Sequence, residues 1–160
     1  MRRLILLLAV LGTVCAGCAP GRASGPPKIV YGKEACSECH MIITEKKFSA
    51  AVVDAVGEVS KFDDIGCAWL YIKEGQAVME QLWVRDDVTE EWMDGEKAVY
   101  VVSDALKTPM GHGVAAFRSE SDAQKLLVQY HGELVSWDKM GASFLNNPHS
   151  IKGGSSNESK

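Results

Sequence analysis

The sequence predicts an α+β fold in which two tandem ββαβ modules share a core, following a cleaved lipoprotein signal peptide. Two patterns support this fold class. The order strand, strand, helix, strand occurs twice along the chain, and the N-terminus carries a short apolar leader that ends in small residues. With 160 residues and 46% hydrophobic content, the chain is long enough to bury one core. We expect the folded domain at residues 34–145, with modules at about 34–88 and 89–145.

The leader is predicted to be a signal peptide at residues 1–17. A positive start precedes the apolar run Leu4–Val14, which is too short for a permanent membrane span. Ala16-Gly17-Cys18 resembles the lipobox of bacterial lipoproteins, although Cys15 stands where leucine is usual. We therefore predict lipidation of Cys18, including palmitate, and an exported lipoprotein anchored to the membrane on its periplasmic or other extracytoplasmic side. The alternative is plain cleavage to a soluble product.

Two segments outside the domain have the composition of flexible chain. Residues 18–33 hold several prolines and glycines, so we expect a lipidated N-terminus and tether. Residues 146–160 are predicted to be a disordered polar tail. Removing the leader, which holds two arginines and no acidic residue, leaves 15 basic against 21 acidic side chains. This acidic balance argues against nucleic acid as a partner.

In the first module, the pattern indicates three strands and one helix. Asp63 or Asp64 is placed to cap the helix, and apolar residues recur at helical spacing after it. The predicted elements are strands at Phe48–Asp54 and Glu58–Phe62, a helix from Ile65 to near Gly75, and a strand at Gln81–Arg85.

The second module repeats this order. Ser121 and Gln124 form a capping box before a helix that Gly132 ends. The other predicted elements are strands at Ala98–Val102, Val114–Phe117 and Glu133–Trp137, and a last turn or short helix within Asp138–Leu145. In each module a sulfur-bearing loop precedes a strand with paired alanines. We therefore expect Cys39-His40-Met41 and Met110-Gly111-His112 to occupy equivalent corners of the two modules and to face each other.

Residues 36–41 gather two thiols, an imidazole and a thioether into six consecutive positions. Soft sulfur donors favour Cu(I) over hard cations. In an extended segment, Cys39 and Met41 turn their sulfurs to one face while His40 points away. Cys36 can return to the same point through a turn. One short segment rarely completes a coordination shell, so we expect a further ligand from elsewhere.

Met110 is that further ligand in our prediction, because Pro109 and Gly111 present it from a shaped loop. A histidine beside glycine is usually a solvated loop residue, and His112 is therefore only a further candidate. Cys67 is expected to be a small buried hydrophobe in the first helix. The predicted metal ligands are thus Cys39, Met41 and Met110, with Cys36 and His112 as further candidates.

Two other chemistries fit the same segment. Cys36-Ser37-Glu38-Cys39-His40 matches the C-x-x-C-H pattern by which haem is attached in c-type cytochromes, although small cytochromes of this type are mostly helical. An exported thiol-disulfide protein, or a plain disulfide between Cys36 and Cys39, is the other alternative. A redox pair of the thioredoxin type needs a helix start after its first cysteine, and the β-branched residues after Cys39 make a poor one.

Several motifs in fixed order resemble the NosL family. They are the lipoprotein leader, Cys36-x-x-Cys39-x-Met41-x-Ile43, Lys61-Phe62-Asp63-Asp64-Ile65-Gly66-Cys67, Trp83-Val84-Arg85-Asp86-Asp87, and Lys107-Thr108-Pro109-Met110-Gly111 with Ala115-Ala116-Phe117. The resemblance implies two ββαβ modules and a non-enzymatic Cu(I) metallochaperone that serves nitrous oxide reductase in denitrification. Its implied partners are the apo-reductase and a membrane ABC-type transporter complex. Carried over to this sequence, Cys39, Met41 and Met110 would bind copper.

Overall fold

The computed structural model describes residues 25–146. The predicted signal peptide, the lipidation site Cys18 and nearly all of the polar tail lie outside these residues. The elements are β1 (Ala50–Asp54), β2 (Val59–Phe62), α1 (Ile65–Lys73), β3 (Met79–Arg85), β4 (Trp92–Asp94), β5 (Val99–Val102), β6 (Val114–Phe117), α2 (Glu120–Gln129), β7 (Glu133–Val135) and α3 (Met140–Asn146), with short 3-10 turns at Gly95–Lys97 and Trp137–Lys139.

Two antiparallel sheets form the frame of the molecule. The first has the strand order β2-β1-β3-β4 and the second the order β6-β5-β7. The predicted α+β class and the repeated order strand, strand, helix, strand are both confirmed. The three-residue strand β4 was not predicted. It completes the first sheet, which thereby extends past the predicted module boundary at residue 88.

Strand β1, which pairs with β2 on one side and with β3 on the other, is buried on both faces over its first four residues. Ala50 and Ala51 are fully buried there, and these small side chains let neighbouring elements approach closely. Ala51 lies opposite Trp83 in β3, and Val52 lies opposite Leu82. Cross-strand pairs of this kind fix the register of a sheet.

A side-chain oxygen caps the start of each main helix. Asp64 caps α1, where its Oδ1 accepts the Gly66 N–H at 2.9 Å. Ser119 caps α2, where its Oγ accepts the Asp122 N–H at 3.1 Å. The predicted cap at Ser121 is therefore wrong: α2 begins earlier, and Ser121 lies inside its first turn.

One core runs through both modules, as predicted. Its buried residues include Val52 and Leu82 from the first sheet and Tyr100 and Val102 from the second. The backbone also joins the sheets, since the N–H of Asp87, just after β3, donates to the carbonyl of Ala116 in β6 at 2.8 Å. The two modules are therefore packed as one unit.

The folded domain begins before residue 34, within the segment predicted to be a tether. Ile29 is buried in the shared core, the Gly32 N–H donates to the Ile43 carbonyl at 2.8 Å, and the Tyr31 hydroxyl lies 2.9 Å from Ser49 Oγ. Residues 29–33 thus pack on the domain, because an apolar and an aromatic side chain find partners there. Among residues 25–146, every helix is too short or too polar to cross a membrane.

Candidate metal centre

Residues 36–41 form a closed turn ahead of the first sheet. A bridge between Ala35 and Ile42 joins its ends. Within it, the Cys36 N–H donates to the Met41 carbonyl at 2.8 Å, and the His40 N–H donates to the Cys36 carbonyl at 3.1 Å. His40 has a φ of 63°, in the left-handed region. The expectation of an extended segment is therefore wrong, and strand alternation does not set the directions of these side chains.

The turn brings two thiols to a cluster with Asp63, just before α1, and Cys67, in α1. One ligand atom from each of Cys36, Cys39, Asp63 and Cys67 lies within 4.8 Å of the others. The Cys39 Sγ donates to Asp63 Oδ1 at 3.4 Å. Cys36, Asp63 and Cys67 are buried, whereas Cys39 is half-buried, and all three thiols are free. We call these four residues the thiol cluster.

Sequence reasoning missed two members of the thiol cluster. Cys67 is buried, as predicted, but it contacts other polar groups instead of apolar neighbours alone. Asp63 was expected only as a helix cap. Helical spacing does not predict this contact, because Asp63 precedes the extended cap residue Asp64 and lies outside α1. Asp63 and Cys67 nevertheless both face the turn at residues 36–41.

The three thiols differ in acidity. Contact with the Cys67 thiol lowers the pKa of Cys36, and backbone N–H groups of Cys39, Asp63 and Glu38 lower it further against the effect of burial. The same contact with Cys36 raises the pKa of Cys67, and burial adds to this effect. Burial raises the pKa of Cys39 to about 12. Cys36 is therefore the thiol that most readily supplies a thiolate to a metal.

The loop that carries Met110 docks on the start of α1, next to the thiol cluster. Asp64 Oδ2 accepts hydrogen bonds from Thr108 Oγ1 at 2.6 Å and from the Met110 N–H at 3.1 Å. Burial raises the pKa of Asp64, although the hydrogen bonds and His112 act in the opposite direction. Met110 is half-buried and packs against the same core as Cys39. The two sulfur-bearing segments thus meet at one end of α1.

His112 reaches the thiol cluster from the second module. It is 2% exposed, and its Nε2 lies 3.6 Å from Cys67 Sγ. The ring packs directly on the helix backbone, since a Cβ added at Gly66 would lie 2.3 Å from His112 Cγ. The expectation of a solvated loop histidine is therefore wrong, while the structure does bring this candidate ligand to the thiols.

The two sulfur-bearing loops are not topologically equivalent, contrary to our expectation. The turn at residues 36–41 precedes β1, the first strand of its module, whereas the loop at 107–113 connects β5 to β6. The paired alanines likewise fall in β1 and β6, which are a first and a second strand. The loops are close because the modules pack together, and the internal repeat alone does not place them.

The predicted ligands differ in accessibility. Met41 is 59% exposed on the outer side of the turn, one residue after His40 and two after Cys39. Cys36 instead faces the core beside Cys67. A porphyrin bonded to Cys36 and Cys39 would have to displace the start of α1, which disfavours the cytochrome alternative. Neither thiol begins a helix, and this disfavours a thioredoxin-type pair.

The donor set as a whole suits a soft ion. Thiolate and thioether sulfurs select Cu(I) and related soft metals, with imidazole as a borderline donor. The thiol cluster supplies buried thiols, the neighbouring loop supplies Met110 and His112, and Met41 offers an exposed thioether. The donor set is therefore open to solvent at Met41 and closed toward the core at Cys36 and Cys67.

Comparison with known proteins gives a consistent assignment. The copper-binding lipoprotein NosL of Stutzerimonas stutzeri is 28% identical over 163 residues, covering 94% of this chain and 85% of that protein. The fold is similar to that of the copper chaperone NosL from Shewanella denitrificans, with a TM-score of 0.59 at 19% identity over 71% of this chain and 96% of that chain. Neither relative is named as an enzyme, in agreement with our prediction. Because the NosL family model matches residues 27–145, nearly all of the folded domain, this chain belongs to the NosL family.

Proposed function

We propose that this protein is an exported lipoprotein that binds Cu(I) and delivers it for the maturation of nitrous oxide reductase. The observation that carries the proposal is the thiol cluster, which joins one half-buried thiol to two buried thiols, with the exposed residue Met41 two positions after Cys39. The names of the two relatives support copper as the cargo. Delivery to nitrous oxide reductase rests on the family resemblance.

In this proposal Cys39, Met41 and Met110 are the ligands that exchange copper, with Cys36 and His112 as supporting candidates. Cys39 connects the inner thiols to the surface, and Met41 lies outside where a recipient can approach. Transfer of Cu(I) between proteins requires an incoming ligand to bind before the outgoing one leaves. A site that is open on one side permits this step, whereas a closed tetrahedral site resists it.

The proposed partners follow from the same function. The apo-reductase is the recipient, and the membrane ABC-type transporter complex is the assembly on which transfer takes place. A lipid on Cys18 would hold the domain at the membrane, on the periplasmic or other extracytoplasmic side. Nucleic acid is not a partner in this proposal, because the charge balance is acidic.

The ligand set is tested by anaerobic competition between the reduced protein and a chromophoric Cu(I) chelator. We expect about one Cu(I) per chain, and weaker binding by roughly tenfold or more in Cys39→Ala and in Met110→Leu. Met79→Leu is the matched control, because Met79 is also half-buried against the core but lies in β3. Unchanged affinity in either site variant would rule out this ligand set.

Delivery is tested separately, by mixing the Cu(I)-loaded protein with apo nitrous oxide reductase. We expect the reductase to gain copper, measured as its metal content after the two proteins are separated, at a rate above that given by the same amount of copper on a small chelator. Met41→Leu should slow this transfer more than it lowers equilibrium affinity, because its thioether is the exposed one. Equal rates from protein and chelator would contradict the delivery step.

A further inference from the structure

The Asp64 carboxylate is shared between the two modules. It is fully buried, and each of its oxygens has a separate task. Oδ1 accepts the Gly66 N–H at the start of α1, and Oδ2 accepts Thr108 Oγ1 and the Met110 N–H from the loop before β6. Burying a carboxylate costs free energy, and the three hydrogen bonds offset part of that cost.

A helix cap alone does not require this second oxygen. Serine, threonine and asparagine cap helices about as well as aspartate, because one oxygen suffices. At the start of α2, Ser119 caps the helix with its single hydroxyl. The carboxylate at position 64 therefore has a role beyond capping α1, because its second oxygen accepts hydrogen bonds from the loop before β6.

Thr108 links Asp64 to the rest of the loop through further hydrogen bonds. Its Oγ1 donates to Asp64 and also accepts the Gly113 N–H at 3.1 Å. Its carbonyl accepts the Gly111 N–H at 3.0 Å. Gly111 and Gly113 both have left-handed φ values, of 73° and 68°, so the backbone makes its bends on either side of His112. The conformation of the whole loop depends on the contact with Asp64.

We propose that Asp64 is a positioning residue that fixes Met110 against the thiol cluster and so raises the affinity for Cu(I). This inference rests on the proposed function, because it takes Met110 as a ligand. Asp63, the preceding residue, belongs to the thiol cluster, and the Met110 backbone bonds directly to Asp64. A short rigid connection thus joins the thiols to the thioether. Ligands held in place before the ion arrives lose less conformational entropy on binding.

A double-mutant cycle tests this role on the processed, reduced protein. Asp64→Asn keeps an oxygen for the Gly66 N–H but turns an amide NH2 group toward the Met110 N–H, so the hydrogen bond from Met110 is lost. We expect Asp64→Asn to weaken Cu(I) binding by roughly tenfold to a hundredfold, as loss of outer support does in other metal sites. In a Met110→Leu background, the same change should have little further effect.

Two controls separate positioning from a general effect on the fold. Ser119→Ala removes the equivalent cap of α2 and should lower thermal stability without changing Cu(I) affinity. Thr108→Val removes the other hydrogen bond to Oδ2 and should weaken Cu(I) binding in the same direction as Asp64→Asn.

NMR of protein labelled at the methionine methyl carbons reports on Met110 directly. Cu(I) should shift the Met110 signal in the parent protein, and this shift should be reduced in Asp64→Asn.

The outcomes distinguish this inference from the proposed function. If Met110→Leu leaves the affinity unchanged, Met110 is not a ligand and the ligand set fails. If Met110→Leu weakens binding but Asp64→Asn does not, only the positioning role is overturned. The positioning role is also overturned if Asp64→Asn weakens binding equally in the presence and absence of Met110, because the effect then does not pass through that side chain.

Discussion

Cys39 is the thiol through which the buried part of the cluster meets the solvent. It is half-buried and donates to Asp63, whereas Cys36 and Cys67 are buried. Cys36 is the more acidic thiol and Cys39 the more accessible one. A metal entering the cluster therefore meets a protonated thiol first and must release its proton.

The raised pKa of Cys39 predicts slow alkylation of this thiol near neutral pH. With a pKa of about 12 against an ordinary 9.0, the thiolate fraction rises about tenfold per pH unit up to pH 12. The rate with iodoacetamide, mapped to Cys39 by mass spectrometry, should follow that rise. Denatured protein is the control, and its rate should level off near pH 9. A rate for folded Cys39 that also levels off there would contradict the assigned environment.

The same shift has a consequence for stability. A thiol whose pKa is higher in the folded state stays protonated there while the unfolded chain ionises. Its contribution to stability is therefore complete below about pH 9 and is lost as the pH rises toward 12. The reduced protein should thus unfold at lower urea concentration at pH 10 than at pH 8.

At the scale of elements, the second module packs against the first at the start of α1. Gly66 lies so close to His112 that a methyl group there would meet the Cβ at 2.4 Å and the Cγ at 2.3 Å. The backbone at Gly66 does not need a left-handed conformation. The glycine is therefore required by packing and not by the angles of the chain.

Gly66→Ala should destabilise the protein although alanine is the better helix former. Helix propensity alone would stabilise by about 1 kcal/mol, but the clash with a buried ring should cost more, for a net loss of about 1 to 3 kcal/mol. Urea unfolding of the reduced apoprotein measures this change. Ala68→Gly, the reverse substitution at a buried position two residues further on in α1, is the comparison. A more stable Gly66→Ala variant would mean that the ring moves aside freely.

The elements were predictable where their signal is local. The predicted strand at Val114–Phe117 has its observed bounds, because a short apolar run is distinctive where a glycine-rich loop precedes it and polar residues follow it. β4 has three residues and is too short to show a period. The backbone around Cys39 and Met41 differs from the prediction because a single left-handed residue, His40, closes a turn where the sequence indicates an extended segment.

The thiol cluster was only partly predictable, for a different reason. Cys36 and Cys39 were apparent as neighbours in the sequence, but Cys67 and Asp63 join them only through the orientation of α1. His112 comes from the other module and reaches Cys67 through the packing of the two sheets. Contacts between distant parts of a chain leave little trace in one sequence. The predicted roles of Met41 and Met110 as ligands stay predictions.

For the whole molecule, the junction of the two sheets depends on Asp86. Its Oδ1 accepts the Arg118 N–H at 3.0 Å from just after β6, and its Oδ2 accepts the Thr89 N–H and hydroxyl at 3.1 and 2.8 Å. A parallel bridge between Asp86 and Ala116 lies at the same place. One buried carboxylate thus supports both the turn after β3 and the contact between modules.

Asp86→Ala should therefore lower the free energy of unfolding by about 2 to 3 kcal/mol, since it leaves several backbone and hydroxyl donors without an acceptor. Chemical unfolding of the apoprotein measures the loss. Asp104→Ala is the control, because Asp104 is exposed in a loop, and a change within about 0.5 kcal/mol is expected there. Similar small effects in both variants would mean that the shared core alone joins the modules.

The separation of the thiol cluster and His112 along the chain also has a consequence for folding. Their contact is long-range, and such contacts form late because much of the chain must first be ordered around them. A newly synthesised or partly unfolded molecule therefore lacks the complete pocket. An ion that needs ligands from both modules is bound only by fully folded molecules, and a molecule that unfolds releases it.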